Sequence, residues 1–193
     1  VINAQINCYG DTSGAITAIA SGGLGNYIYT LIDASGNPIP TATQNYPGEF
    51  TNLPAGDYTV RVNSQDCVFS TLGVISIKQP LVPLTYTSSI VNVSCNGIGN
   101  GSITINGTGG TGQIKYAISP NLNQFFDVGD FQNLAPGSYD IIVQDQNGCF
   151  VYTTGISITE PSIIIPQIDP ASVMPEICFG DNDGSFTVEI TGG

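Results

Sequence analysis

The chain of 193 residues has no histidine, no tryptophan, one methionine and only three basic residues, Arg61, Lys78 and Lys115. Each shortage removes a class of function. Without histidine there is no Ser-His-Asp or Cys-His nucleophile and no histidine-based zinc site. Fifteen acidic residues leave a formal net charge of -12. Nucleic acid and anionic membrane surfaces are therefore not expected partners, because both call for clustered Lys and Arg. No apolar run approaches bilayer-spanning length, and the longest, Ser162 to Ile168, is interrupted by Pro166. No segment carries a helical period with caps. No signal peptide is visible at Val1, as would also hold for a mature or internal fragment. No pair of carboxylates recurs at one position in the chain's internal repeats, so two-carboxylate glycoside hydrolysis is not supported. The expectation is no enzyme activity, no cofactor and no resident metal.

What the chain does contain is a pattern written three times. Cys8-Tyr-Gly10-Asp-Thr-Ser-Gly14-Ala-Ile, Cys95-Asn-Gly97-Ile-Gly-Asn-Gly101-Ser-Ile and Cys178-Phe-Gly180-Asp-Asn-Asp-Gly184-Ser-Phe share the form C-x-G-x-x-x-G-[AS]-[IF]. Each is followed by a Gly-Gly pair, at Gly22, Gly109 and Gly192. A period this long marks a tandem array of small domains. Proline-marked boundaries divide the chain into residues 1–80, 81–161 and 162–193, the last read as the start of a truncated repeat. The second cysteine of that repeat, a partner for Cys178, is expected beyond Gly193. Short proline linkers suit an extended rod.

Within a repeat everything reads as β. Alternation at period two places Ile16, Ile103 and Phe186 inward, followed by Ala18, Ile105 and Val188. Leu53-Pro-Ala-Gly56-Asp-Tyr58 and Leu134-Ala-Pro-Gly137-Ser-Tyr139 have the form of a tyrosine corner, in which a tyrosine opening a strand bonds back to the preceding turn. The predicted fold is all-β: tandem immunoglobulin-like Greek-key sandwiches, stapled by disulfides. Two cysteines per whole repeat indicate an oxidising compartment. If four strands separate Cys8 from Cys67, both lie at one end of the sandwich. The predicted bridges are then Cys8–Cys67 and Cys95–Cys149.

The run C-x-G-x-x-x-G-S-[IF], G-G, Y-x-Y, L-x-x-G-x-Y, D-x-N-G-C and I-x-I-T-[EQ]-P resembles the SprB-type repeat of very large Bacteroidetes surface adhesins. Residues 95–161 resemble it most; the first repeat lacks the Gly before Cys67 and has a longer middle. The resemblance implies export by the type IX route, an extracellular, outer-surface location, and a part in adhesion or gliding motility. Neighbouring repeats, surface polysaccharide and other outer-surface proteins are the partners it implies.

Bland readings stand beside sharper ones. Asp181-Asn-Asp183-Gly184, with Asp11 at the equivalent place and Asp66 or Asp145 at the same domain end, could supply oxygen ligands to calcium. The second repeat offers Ile98, Gly99 and Asn100 there, which favours plain turn residues. Tyr9, Tyr46 and Tyr152 could stack on a glycan, yet aromatic residues more often fill strands. Lys78 and Lys115 occupy unrelated positions, against a repeated isopeptide crosslink. Asn92, Asn100 and Asn106 fit the glycosylation sequon, for which chance in an Asn-rich chain is the default. The leading expectation is an adhesin stalk segment. A glycan- or filament-binding module and accessory repeats of an exported enzyme are the alternatives.

Overall fold

The alternating segments form strands, and two sheets close over the inward residues of the first two sets. The computed structural model describes the chain except Val1, Thr41, Ala42, Asn45, Asp66, Thr71, Leu72 and Asp181, and except the side chains of Ile2, Asn3, Thr43, Gln44 and Ser70. The first eight strands are β1 (Ile2–Ala4), β2 (Gly14–Thr17), β3 (Tyr27–Asp33), β4 (Thr43–Gln44), β5 (Glu49–Leu53), β6 (Gly56–Ser64), β7 (Cys67–Ser70) and β8 (Ile75–Ile77). One sheet has the order β1-β2-β5-β4; the other is β3-β6-β7, with β8 also paired to β6. All the registers among them are antiparallel. Ile16, Phe50 and Leu53 from the first sheet meet Leu31, Tyr58, Val60 and Ile77 from the second in one buried cluster, joined by Ile6 and Ala18.

The next six strands repeat the plan: β9 (Thr85–Val91), β10 (Gly101–Thr108), β11 (Lys115–Ile118), β12 (Asp130–Leu134), β13 (Gly137–Gln144) and β14 (Phe150–Ile158). Their sheets run β12-β10-β9 and β11-β13-β14. Ile103, Ile105, Tyr116, Phe131, Ile141 and Ile158 are buried. Lys115, between Ile114 and Tyr116, is exposed. By contact, Val1–Tyr86, Gly107–Lys115 and Val143–Val151 make one compact unit, and Thr87–Asn106, Tyr116–Ile142 and Tyr152–Gly193 a second.

Among the described residues the last two strands, β15 (Ile165–Ile168) and β16 (Val188–Thr191), pair only with each other. Every residue of both is exposed. Phe186 and Val188, which the alternation places inward, are 60% and 45% exposed. A two-stranded ribbon has no opposing sheet to cover its apolar face.

The glycine motif now has a physical reading. Its first glycine turns the chain with positive φ, +81° at Gly10 and +79° at Gly97. Its second glycine makes room. A Cβ on Gly14 would lie 2.7 Å from the Leu53 carbonyl oxygen and 2.8 Å from Ile77 Cγ2. One on Gly101 would meet Ile158 Cγ2 at 2.8 Å and the Leu134 oxygen at 3.0 Å. The same place carries a bulge: the β2–β5 register shifts between Gly14 and Ile16, and β10–β12 between Gly101 and Ile103. Asn52 and Asn133 supply the extra residue, both at φ +58°.

Gly14→Ala should therefore overpack the sandwich and lower stability by about 1–3 kcal/mol. Urea unfolding of the variant beside the parent chain measures this. An unchanged midpoint would show that the bulge can open to admit a methyl group.

Candidate functional site

Three polar junctions hold each sandwich, and the sequence motifs fall on them. The first is at L-x-x-G-x-Y. The Tyr58 hydroxyl donates to the Pro54 carbonyl at 2.8 Å, and the Tyr139 hydroxyl to the Ala135 carbonyl at 2.9 Å. Burial pushes the Tyr58 phenol above its ordinary value.

The second junction ties the first cysteine turn to the exit of its own repeat. Asp11 N–H donates to the Cys8 carbonyl, and Ile98 N–H to that of Cys95, both at 3.3 Å. Gly10 N–H donates to Gln79 Oε1 at 2.8 Å, and Gly97 N–H to Glu160 Oε2 at 2.7 Å. Gln79 and Glu160 are the variable residue of the [EQ]-P ending. Either an amide oxygen or a carboxylate accepts the bond, so the position tolerates both. Their role escaped the sequence reading, although two matching acceptors before proline were a usable signal.

The third junction closes the other end. Asp145 is buried, and its carboxylate accepts from three backbone donors: Thr111 N–H at 2.8 Å, and Asn147 and Cys149 N–H at 2.9 Å each. Ser64 does the corresponding work in the first repeat. It is buried, accepts from Leu24 N–H at 3.2 Å, and donates to the Gly25 carbonyl at 2.8 Å. Both side chains fasten the Gly-Gly loop to the end of the tyrosine strand.

The cysteines do not pair as the strand count predicts. The disulfide joins Cys8 to Cys149, 141 residues apart, with an S–S distance of 2.04 Å and a Cα–Cα distance of 5.5 Å. Both cysteines belong to the first compact unit. Cys67, Cys95 and Cys178 are exposed thiols. The predicted Cys8–Cys67 bridge fails on parity. The described strands between those cysteines are β2, β3, β4, β5 and β6, an odd number, because the short β4 pairs separately with β5. Cys8 thus lies beside Lys78 and Gln79, next to the Gly56 end of β6, while Cys67 pairs opposite Ser64 at its far end. Eight residues of strand separate those ends by about 26 Å. The predicted Cys95–Cys149 bridge fails although the named strands between those cysteines, β10 to β13, are even in number: the Phe126 segment, bridged antiparallel to Tyr116, adds one more reversal. Cys149 precedes β14, whereas Asn96 and Gly97, next to Cys95, bond to Pro161 and Glu160 beyond its other end.

The other candidates are not brought together. Among the described residues no group of three His, Cys, Asp or Glu is arranged to hold a metal. Asp66 and Asp181 lie outside the described residues. Asp11 is exposed, Asp183 accepts from Ile177 N–H at 3.2 Å, and Asp145 is engaged as described. Tyr9, Tyr46 and Tyr152 are exposed. The Tyr152 hydroxyl donates to Asp140 Oδ2 at 3.0 Å, and this bond raises its pKa. Among the sequon asparagines, Asn92 accepts from Thr159 N–H and Asn100 is bonded twice to Ser94.

Two measurements check these junctions. Asp145→Ala should cost about 2–3 kcal/mol or more in chemical unfolding, since it strips a charged acceptor from three donors. A loss below about 0.5 kcal/mol would mean that water replaces it freely. Tyr58→Phe should cost about 1 kcal/mol. Because the Tyr58 pKa is raised in the folded state, its contribution is full below about pH 10 and is lost as pH rises through the folded value. The variant should accordingly show a shallower alkaline decline than the parent.

No curated protein matches the chain. Among solved structures, one described as DIP-gamma IG1+IG2 is 14% identical with a TM-score of 0.31, over 70% of this chain and 84% of that one. Another, surface layer protein SbsC domains 4-9, is 12% identical with a TM-score of 0.23, over 93% of this chain and 30% of that one. The SprB repeat family model matches at residues 4–36, 87–123 and 171–193. Those segments contain the three cysteine–glycine turns, and the chain carries SprB repeats at all three positions.

Proposed function

We propose that this chain is a stalk segment of a large secreted cell-surface adhesin, with repeats at residues 1–80, 81–161 and 162–193. Its role is mechanical: to hold an adhesive element away from the surface and to carry tension in adhesion or gliding. The SprB repeats carry this reading. The disulfide supports it, since such a bond persists in oxidising, extracellular surroundings. The polar junctions support it too. They employ buried or bonded groups to close the turns of the sandwich.

Tension has a particular path through such a chain. A force applied outside Cys8 and Cys149 crosses the sulfur bond and leaves the 141-residue loop unloaded. Stretching single molecules from tags placed outside both cysteines tests this. At roughly 3.5 Å per residue, reduction should expose additional contour on the order of 500 Å. The same contour released at low force before reduction would sink the tension-bearing role.

A further inference from the structure

The exposed Cys95 is the same element as the bonded Cys8, without its partner. Its turn has the same closing bond, and its glycine has the same exit acceptor. The surroundings correspond as well. Gly110 N–H donates to the Val82 carbonyl at 3.3 Å, and Gly193 N–H to that of Ser162 at 3.0 Å. A Cβ on Gly109 would fall 2.0 Å from the Pro83 oxygen, and one on Gly192 1.9 Å from the Ile163 oxygen. Pro83 and Leu84 are therefore the counterparts of Ile163 and Ile164.

Around Cys8, a hollow lined by Tyr9, Pro83 and Leu84 is closed on one side by Gly148, Cys149 and Phe150. Around Cys95, a hollow is lined by Asn96, Ile163, Ile164 and Gly193, and among the described residues no second-cysteine turn is part of its wall. Ile163 and Ile164 are 60% and 62% exposed there. The occupied hollow shows what fits: the D-x-N-G-C turn of the following repeat. Its fit is polar as well as covalent, since Asn147 Nδ2 donates to the Asn7 carbonyl at 3.2 Å beside the bridge.

We propose that the hollow at Cys95 is the seat for the second-cysteine turn of a further SprB repeat, and that Cys95 forms a disulfide with it. The rule is that the first cysteine of one repeat bonds to the second cysteine of the next. Under this rule Cys67, the counterpart of Cys149, takes the first cysteine of another repeat, not Cys8. The inference rests on the repeat register, the observed bridge and the two hollows, and does not depend on the stalk reading. The bond forms by exchange with a small or protein disulfide oxidant. The Cys95 thiolate displaces one sulfur of the oxidant, and the incoming repeat's thiolate then displaces the other. Two protein thiols are oxidised, and the oxidant leaves as two thiols carrying the two protons.

The test is a chain extended after Gly193 by a copy of residues 111–161, which supplies a second-cysteine turn after the third cysteine–glycine motif. It is refolded with oxidised glutathione, alkylated and mapped without reduction. Cys95 should lose its alkylation and appear joined to the appended copy of Cys149, with Cys8–Cys149 retained and Cys178 still alkylated. A bridge from Cys178 to the appended cysteine, or a free Cys95 in a folded product, would overturn the proposal. If the appended residues do not fold, Cys149→Ser in the original chain decides. Cys8, Cys67 and Cys95 should then all alkylate, whereas a Cys8–Cys67 bridge would refute the rule.

Discussion

The closing of one small sheet over another is the constraint on which the rest hangs. In the first repeat Ile16, Phe50 and Leu53 on one side are covered by Leu31, Tyr58 and Val60 on the other. A core this small leaves little surplus against chain entropy, so the edges and turns around it must be closed well. The tyrosine corner, the exit acceptor and the buried side chain at the Gly-Gly loop are three such closures. Each satisfies backbone groups that would otherwise be left unpaired at the rim of an apolar layer. β15 and β16 show the converse: a ribbon with the same motif but no second sheet keeps its apolar residues in solvent.

The core was largely legible because period two is a local property. Ile16, Ile103, Ala18 and Ile105 are buried where the alternation puts them. The cysteine pairing was not legible, because it depends on a count of chain reversals. β4 is two residues long and falls in the stretch with the weakest pattern, yet it inverts the parity between Cys8 and Cys67. The sequence also could not reveal that Asp145 and Ser64 are counterparts. An acidic residue and a hydroxyl share no chemical class, only the capacity to accept from a backbone N–H across a turn. Read as a class, Asp145 suggests a cation; read by its partners, it is a turn fastener.

The two glycines of the motif divide their labour in a way that explains their spacing. The first lets the chain reverse after the cysteine, and the second lets β2 or β10 run close beneath the bulged strand and the last strand of the repeat. Between them the residues are free to vary, and do: Asp-Thr-Ser, Ile-Gly-Asn and Asp-Asn-Asp. Variation there implies that the turn carries no ligand chemistry common to the repeats.

The long disulfide has one more consequence. All three basic residues, Arg61, Lys78 and Lys115, lie between Cys8 and Cys149. A trypsin-like protease, which must cut after one of them, can only nick the loop. The residues before Cys8 and after Cys149 stay covalently joined through sulfur, and the strands on either side of a nick remain paired across the sheets. For this chain, being cut is then not the same as being severed.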